Sequence, residues 1–183
     1  MRTTDLDVLM VPGYTGSGAE HWQTRWLKGI KSAWLVEQDD WDKPDVGNWT
    51  DALVTAVERA PKPVLLVAHS IGVLTVVHAA RRFRSGKVVG GFLVAPPDVE
   101  DKDRIIPELD GFAPYPRDPL PFPSLLIASR TDVYCDFSEA EEMAYAWGAR
   151  LVDAGDAGHI NTASGHGPWP EGLMTFAQFL SRL

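Results

Sequence analysis

The sequence predicts an α/β fold, a mostly parallel β-sheet with helices packed on both faces. Six apolar runs of strand length alternate with stretches whose apolar residues recur at helical spacing, the pattern of right-handed strand–helix–strand crossovers. Two junctions, at residues 12–18 and 69–72, are Gly- and Ser-bearing turns between a strand and a helix, and parallel sheets hold ligands at the carboxyl ends of their strands. The chain has 183 residues, 45% of them hydrophobic. That is enough to bury one core and short for two, so a single domain over residues 1–183 is expected.

The first strand is expected over residues 6–11, Leu6-Asp7-Val8-Leu9-Met10-Val11. Pro12-Gly13-Tyr14-Thr15-Gly16-Ser17-Gly18 comes next as a tightly turning loop that exposes backbone N–H groups, and residues 20–30 read as an amphipathic helix carrying Trp22, Trp26 and Leu27. The loop lacks the Lys-Ser/Thr ending of a P-loop and the spacing of a dinucleotide fingerprint, so no nucleotide cofactor is expected. A second strand is expected over residues 33–38, before the acid-rich stretch Asp39-Asp40-Trp41-Asp42-Lys43-Pro44-Asp45. With no His or Cys nearby and no EF-hand spacing, that stretch reads as a solvated loop with Trp41 tucked inward, and no metal is expected. Asn48 or Thr50 is placed to cap a helix running to residue 60, with Trp49, Leu53, Val54 and Val57 on one face.

The third strand, from residue 63, is Pro63-Val64-Leu65-Leu66-Val67-Ala68 and runs into His69-Ser70-Ile71-Gly72. A helical pattern begins there and continues to Ala80. A turn this sharp strains the backbone at Ser70 and leaves room only for small residues two positions either side, which Ala68 and Gly72 supply. The motif Ala-x-Ser-x-Gly is one residue short of the G-x-S-x-G nucleophile elbow. Ser before a helix is also a favoured N-cap, so this stretch alone leaves catalysis open.

A fourth strand is expected over residues 87–95. Residues 99–121 then form an irregular insertion, where Pro107, Pro114, Pro116, Pro119 and Pro121 forbid a long helix. Asp101, Lys102, Asp103, Arg104, Glu108 and Asp110 break any apolar face, so no true lid is expected. Strands over residues 123–129 and 149–152 and helices over residues 138–147 and 172–183 complete the chain.

The residues just past the strand ends carry the chemistry. Ser70 lies after the third strand, Asp132 in Ser129-Arg130-Thr131-Asp132 after the fifth, and His159 in Gly158-His159-Ile160-Asn161 after the sixth. Serine is a poor nucleophile unless a neutral imidazole takes its proton, and that imidazole needs an acceptor on its other nitrogen. The order Ser, Asp, His is that of α/β-hydrolases. Asp98, after the fourth strand, is the alternative acid, and His69 points away from Ser70 as a packing or hydrogen-bonding residue. His21, His78 and His166 show no partner pattern.

The formal charge of −8 is spread over the sequence without a Lys/Arg cluster, which argues against nucleic acid and anionic membranes as partners. No stretch reaches the length of a membrane span, no secretion signal is recognisable, and the single Cys135 excludes an internal disulfide. A cytoplasmic location is the expectation.

Several pieces together resemble the small serine hydrolases of the YdeN and retinoblastoma-binding-protein-nine family. They are Val11-Pro12-Gly13-Tyr14, His21-Trp22, Asp40-Trp41-Asp42-Lys43-Pro44, Val67-Ala68-His69-Ser70-Ile71-Gly72, Ser129-Arg130-Thr131-Asp132, Gly158-His159-Ile160-Asn161 and Gly165-His166-Gly167-Pro168-Trp169-Pro170. The resemblance implies a compact α/β-hydrolase, with about six strands ordered 2-1-3-4-5-6. It implies Ser70, Asp132 and His159 as a catalytic triad, and hydrolysis of carboxylic esters or related acyl bonds. Ala68 departs from the family, which often has Gly there. Backbone N–H groups of Tyr14 and Ile71 are the expected oxyanion hole, and Gly13, Trp41 and Trp169 the expected pocket walls. A small acyl substrate is expected as the ligand. One family member is named for a protein partner, so an interaction module that keeps the fold is the competing reading, although nothing else in the sequence indicates such a partner.

Overall fold

Alternate residues of each central strand feed two separate apolar cores, and this period-2 division fixes the layers. The computed structural model describes residues 1–101, 103–104 and 106–183. Its strands are β1 (Asp7–Val11), β2 (Ala33–Leu35), β3 (Val64–His69), β4 (Val88–Val94), β5 (Ser124–Ala128) and β6 (Arg150–Asp153). All neighbouring strands pair in parallel, in the expected order β2-β1-β3-β4-β5-β6. The helices are α1 (Trp22–Gly29), α2 (Val46–Arg59), α3 (Ile71–Ala79), α4 (Phe137–Trp147) and α5 (Pro170–Leu180).

Leu9, Val11, Leu66, Ala68 and Leu126 point to the face covered by α2, α3 and α4, where they meet Trp49, Leu53, Leu74, Met143 and Trp147. Val8, Met10, Leu65, Val67 and Leu125 point to the other face, where α1 and α5 bring Trp22, Trp26, Phe176 and Phe179. Helix α3 is apolar all round and nearly all of it is buried, so the chain behind Ser70 is held in the middle of the molecule.

Several boundaries differ from the sequence expectation. Neither Asn48 nor Thr50 caps α2; Asp45 does, its carboxylate accepting from the Asn48 N–H at 2.8 Å. Edge strand β2 has three residues, since only the Val36 N–H bond to Met10 O continues the ladder before the chain turns away. The insertion between β4 and β5 is not wholly irregular: a short 3-10 helix, Pro107–Phe112, buries Leu109 and Phe112 in the core beneath it. Lys102, one of the charges expected to interrupt that stretch, lies outside the described residues. In the acid-rich loop, Asp40 accepts from the N–H groups of Asp42 and Lys43 while half-buried Trp41 packs edge-on to Trp49. Among the described residues, no helix is long and apolar enough to cross a membrane.

Candidate active site

Ser70 sits between the end of β3 and the start of α3 at φ 56°, ψ −131°, a conformation that costs a non-glycine residue of order 1–3 kcal/mol. Its surroundings impose it. The Ser70 N–H is held by Val94 O at 3.0 Å, and a Cβ on Gly72 would lie 2.3 Å from Val11 O and 2.5 Å from Pro12 O. Only glycine lets α3 approach β1 so closely. Ala68, fully buried, is accommodated where the family often has glycine.

The structure brings His159 and Asp132 to this serine. His159 Nε2 lies 2.9 Å from Ser70 Oγ, and His159 Nδ1 lies 2.8 and 3.0 Å from the two oxygens of Asp132. Both residues are buried, and Asp132 also accepts from the Tyr134 N–H at 3.0 Å. A carboxylate on Nδ1 fixes that nitrogen as the donor and leaves Nε2 free to accept the hydroxyl proton.

The β5 and β6 loops are fastened together by two hydroxyls. Ser129 Oγ donates to Gly155 O and accepts from the Ala157 N–H, while Thr131 Oγ1 accepts from the Gly158 N–H. Two further bonds tie the His159 loop to the rest of the molecule: His69 Nε2 donates to His159 O, and Trp22 Nε1 donates to Ile160 O, each at 2.9 Å. Buried Gln23 donates through Nε2 to the carbonyls of Val11 and Val67, while its Oε1 accepts from Ser17 Oγ. It thereby sets the Gly-rich loop against β1 and β3. No motif points to Gln23, and the piece Ser129-Arg130-Thr131-Asp132 singles out only its aspartate, not the fastening role of Ser129 and Thr131. The one available sign is that each is a polar residue within or beside an apolar element.

The backbone N–H groups of Tyr14 and Ile71 donate to no acceptor among the described residues. Gly13 packs directly on the serine, where a Cβ would fall 2.7 Å from Ser70 Cβ. A cavity of about 280 Å³ opens over Ser70, lined by Gly13, Tyr14, His21, His69, Tyr134 and His159 and roofed by Ile106 and Leu109 from the insertion. Two expected walls are elsewhere. Trp41 lines a separate cavity on the far side of the Gly-rich loop, because Gly16 packs against its indole. Trp169 is buried on the face covered by α1 and α5, stacked on Trp26 at 5.8 Å with Trp22 and His69 between it and the pocket, and Gly172 leaves the space its ring occupies.

Three imidazoles line this pocket in sequence, with His21 and His69 ring centroids 4.9 Å apart and His69 and His159 5.0 Å apart. Burial, reinforced by repulsion from His159, lowers the His21 pKa from 6.5 to about 4, and burial likewise holds His69 well below its ordinary range. Unfolding frees both rings to bind protons, so their effect on stability is absent above pH 6.5 and turns unfavourable as pH falls toward about 4. Each ring contributes at most about 1.4 kcal/mol per pH unit to that slope. Chemical denaturation at several pH values is expected to show stability falling through this window, less steeply in His21→Asn. An equal slope in that variant would show that His21 protonates alike in both states.

A six-stranded parallel sheet with a strained serine after β3 and a histidine–carboxylate pair from the loops after β6 and β5 defines an α/β-hydrolase. The chain belongs to the serine hydrolase family, whose sequence profile matches residues 8–178, and within it is YdeN-like. It is 34% identical to a YdeN-like hydrolase of Pectobacterium atrosepticum, with a TM-score of 0.84 over 97% of this chain and 91% of that one. The ydeN gene product of B. subtilis shares the fold at 21% identity, with a TM-score of 0.77 over 95% and 98% of the two chains. Esterase 2 of Thermogutta terrifontis, in a form phosphonylated by cyclosarin, shares it at 14% identity, with a TM-score of 0.70 over 100% and 85%. No curated protein sequence matches the chain.

Proposed function

We propose that this hydrolase cleaves carboxylic esters or related acyl bonds of small substrates through an acyl-enzyme on Ser70, and that residues 1–183 act as one catalytic unit without a lid. The observation that carries the proposal is the unbroken row from Ser70 Oγ through His159 to Asp132, with contacts of 2.9 and 2.8 Å. As Oγ bonds to the substrate carbonyl carbon, its proton passes to His159 Nε2, and Asp132 stabilises the imidazolium. The carbonyl oxygen, now an oxyanion, takes hydrogen bonds from the Tyr14 and Ile71 N–H groups. Collapse of this intermediate expels the alcohol, which leaves with the proton from His159. Water then repeats the sequence on the acyl-enzyme, and the acid departs as Ser70 recovers its proton.

The cavity favours short acyl groups. At about 280 Å³ it sits at the lower end of ligand pockets, and a further methylene gains about 0.8 kcal/mol only where apolar wall remains to bury it. With p-nitrophenyl esters, kcat/KM is expected to be highest for acyl chains of about two to six carbons. No jump in rate is expected when the substrate forms micelles. A maximum at long chains, or an interfacial jump, would overturn the small-substrate reading; inertness toward every ester and toward a fluorophosphonate would overturn the hydrolytic mechanism itself.

A further inference from the structure

His21 precedes α1 and caps it. Its Nδ1 accepts the Gln23 N–H at 3.2 Å, so in the neutral ring the proton sits on Nε2. Burial keeps the ring neutral at ordinary pH. The Nε2–H has no acceptor among the described residues. Nor is it sealed from solvent: among the described residues, the buried polar side-chain atoms left without partners are those of Trp26 and Gln38. His21 lines the Ser70 pocket, and Nε2–H is the polar side-chain atom it has free to offer there. His69 does not compete as a donor, since its own N–H is taken by His159 O.

We propose that His21 is a substrate-binding residue whose Nε2–H holds an uncharged oxygen acceptor of the substrate, such as a ketone, amide or ether oxygen, distinct from the carbonyl that Ser70 attacks. The acceptor is uncharged because, among the described residues, no Lys or Arg lines the pocket, while the carboxylates of Glu108 and Asp42 act on Tyr14 at its wall and would repel an anion. The pocket thus selects substrates carrying a second oxygen function over plain alkyl esters. This rests on the acyl-hydrolase reading of the same site.

The test compares esters that differ only at the second oxygen. On the acyl side, p-nitrophenyl 4-oxopentanoate and 5-oxohexanoate are set against the isosteric 4-methylpentanoate and 5-methylhexanoate. On the alcohol side, 2-methoxyethyl butyrate is set against n-butyl butyrate. Wild type is expected to favour the oxygen-bearing member of at least one series by about 3–10-fold in kcat/KM, through KM, as one neutral hydrogen bond allows. His21→Ser keeps a good N-cap while withdrawing the imidazole N–H and putting no amide NH₂ in its place. It is expected to lose that preference, the two members of each pair then being hydrolysed with kcat/KM equal within about twofold. Absence of the preference in wild type, its survival in His21→Ser, or an equal loss on both members of each pair would overturn the proposal. Failure of wild type to react with the fluorophosphonate would instead overturn the acyl-hydrolase reading.

Discussion

Ser70→Ala is expected to abolish covalent labelling by a fluorophosphonate and to lower ester turnover by roughly 10⁵–10⁶-fold, the scale seen when a triad loses its nucleophile. The loss follows from position. Ser70 Oγ is the atom that His159 Nε2 reaches, at 2.9 Å. Of the other hydroxyls nearby, Ser129 and Thr131 are occupied in fastening loops, and those of the pocket residues Tyr14, Thr15, Tyr134 and Thr162 are hydrogen-bonded to no histidine among the described residues. Folding should survive, because Ser70 forms no side-chain cap on α3 and its backbone is fixed by Val94 and by the close approach of Gly72. A companion variant separates function from stability. Ser70→Gly relieves the positive φ of 56° and is expected to raise unfolding free energy by about 1 kcal/mol while being equally inactive. The strain would then be a cost borne for exposing the nucleophile. Undiminished labelling of Ser70→Ala, read by intact-protein mass, would remove Ser70 from the chemistry.

The site is legible in the sequence where chemistry and backbone geometry coincide in a few consecutive residues. Ala68 to Gly72 can be read directly, because a strand-to-helix turn at Ser70 demands small neighbours, and Gly72 is indeed hemmed in by two carbonyls. Asp132 and His159 are legible by register: each comes after an apolar run whose carboxyl end must lie at the same edge of a parallel sheet. The illegible part depends on which face of a layer a large side chain enters. Trp169 and Trp41 look like pocket aromatics by composition, yet Trp22 and His69 stand between the first and the pocket and the Gly-rich loop separates the second. The role of His21 is hidden for the converse reason. It lies far in sequence from Ser70, His69 and His159, and only the packing of α1 against the His159 loop, through Trp22 and Ile160, draws it in.

Asp132→Asn is expected to lower kcat by roughly 10⁴-fold, while Asp98→Asn changes it less than about twofold. The two acids share a neighbourhood, since the Asp98 N–H bonds to Tyr134 O two residues beyond Asp132, but their carboxylates are used differently. Both Asp132 oxygens lie within 3.0 Å of His159 Nδ1. Asp98 instead accepts the N–H groups of Glu100 and Asp101 and closes its own turn. An Asn there retains the accepting oxygen, so the turn should persist. At position 132 the amide presents an NH₂ as well as an oxygen and can stabilise the tautomer with the proton on Nε2, which cannot take one from Ser70. The carboxylate that offsets the imidazolium charge is also lost. The defect should therefore appear in kcat and in the rate of fluorophosphonate labelling together, with KM little changed, because the acid touches no substrate. Raising the pH should not restore activity, since the fault is the position of a proton rather than its presence. Equal effects of the two substitutions, or a larger one at Asp98, would transfer the orienting role to the loop after β4.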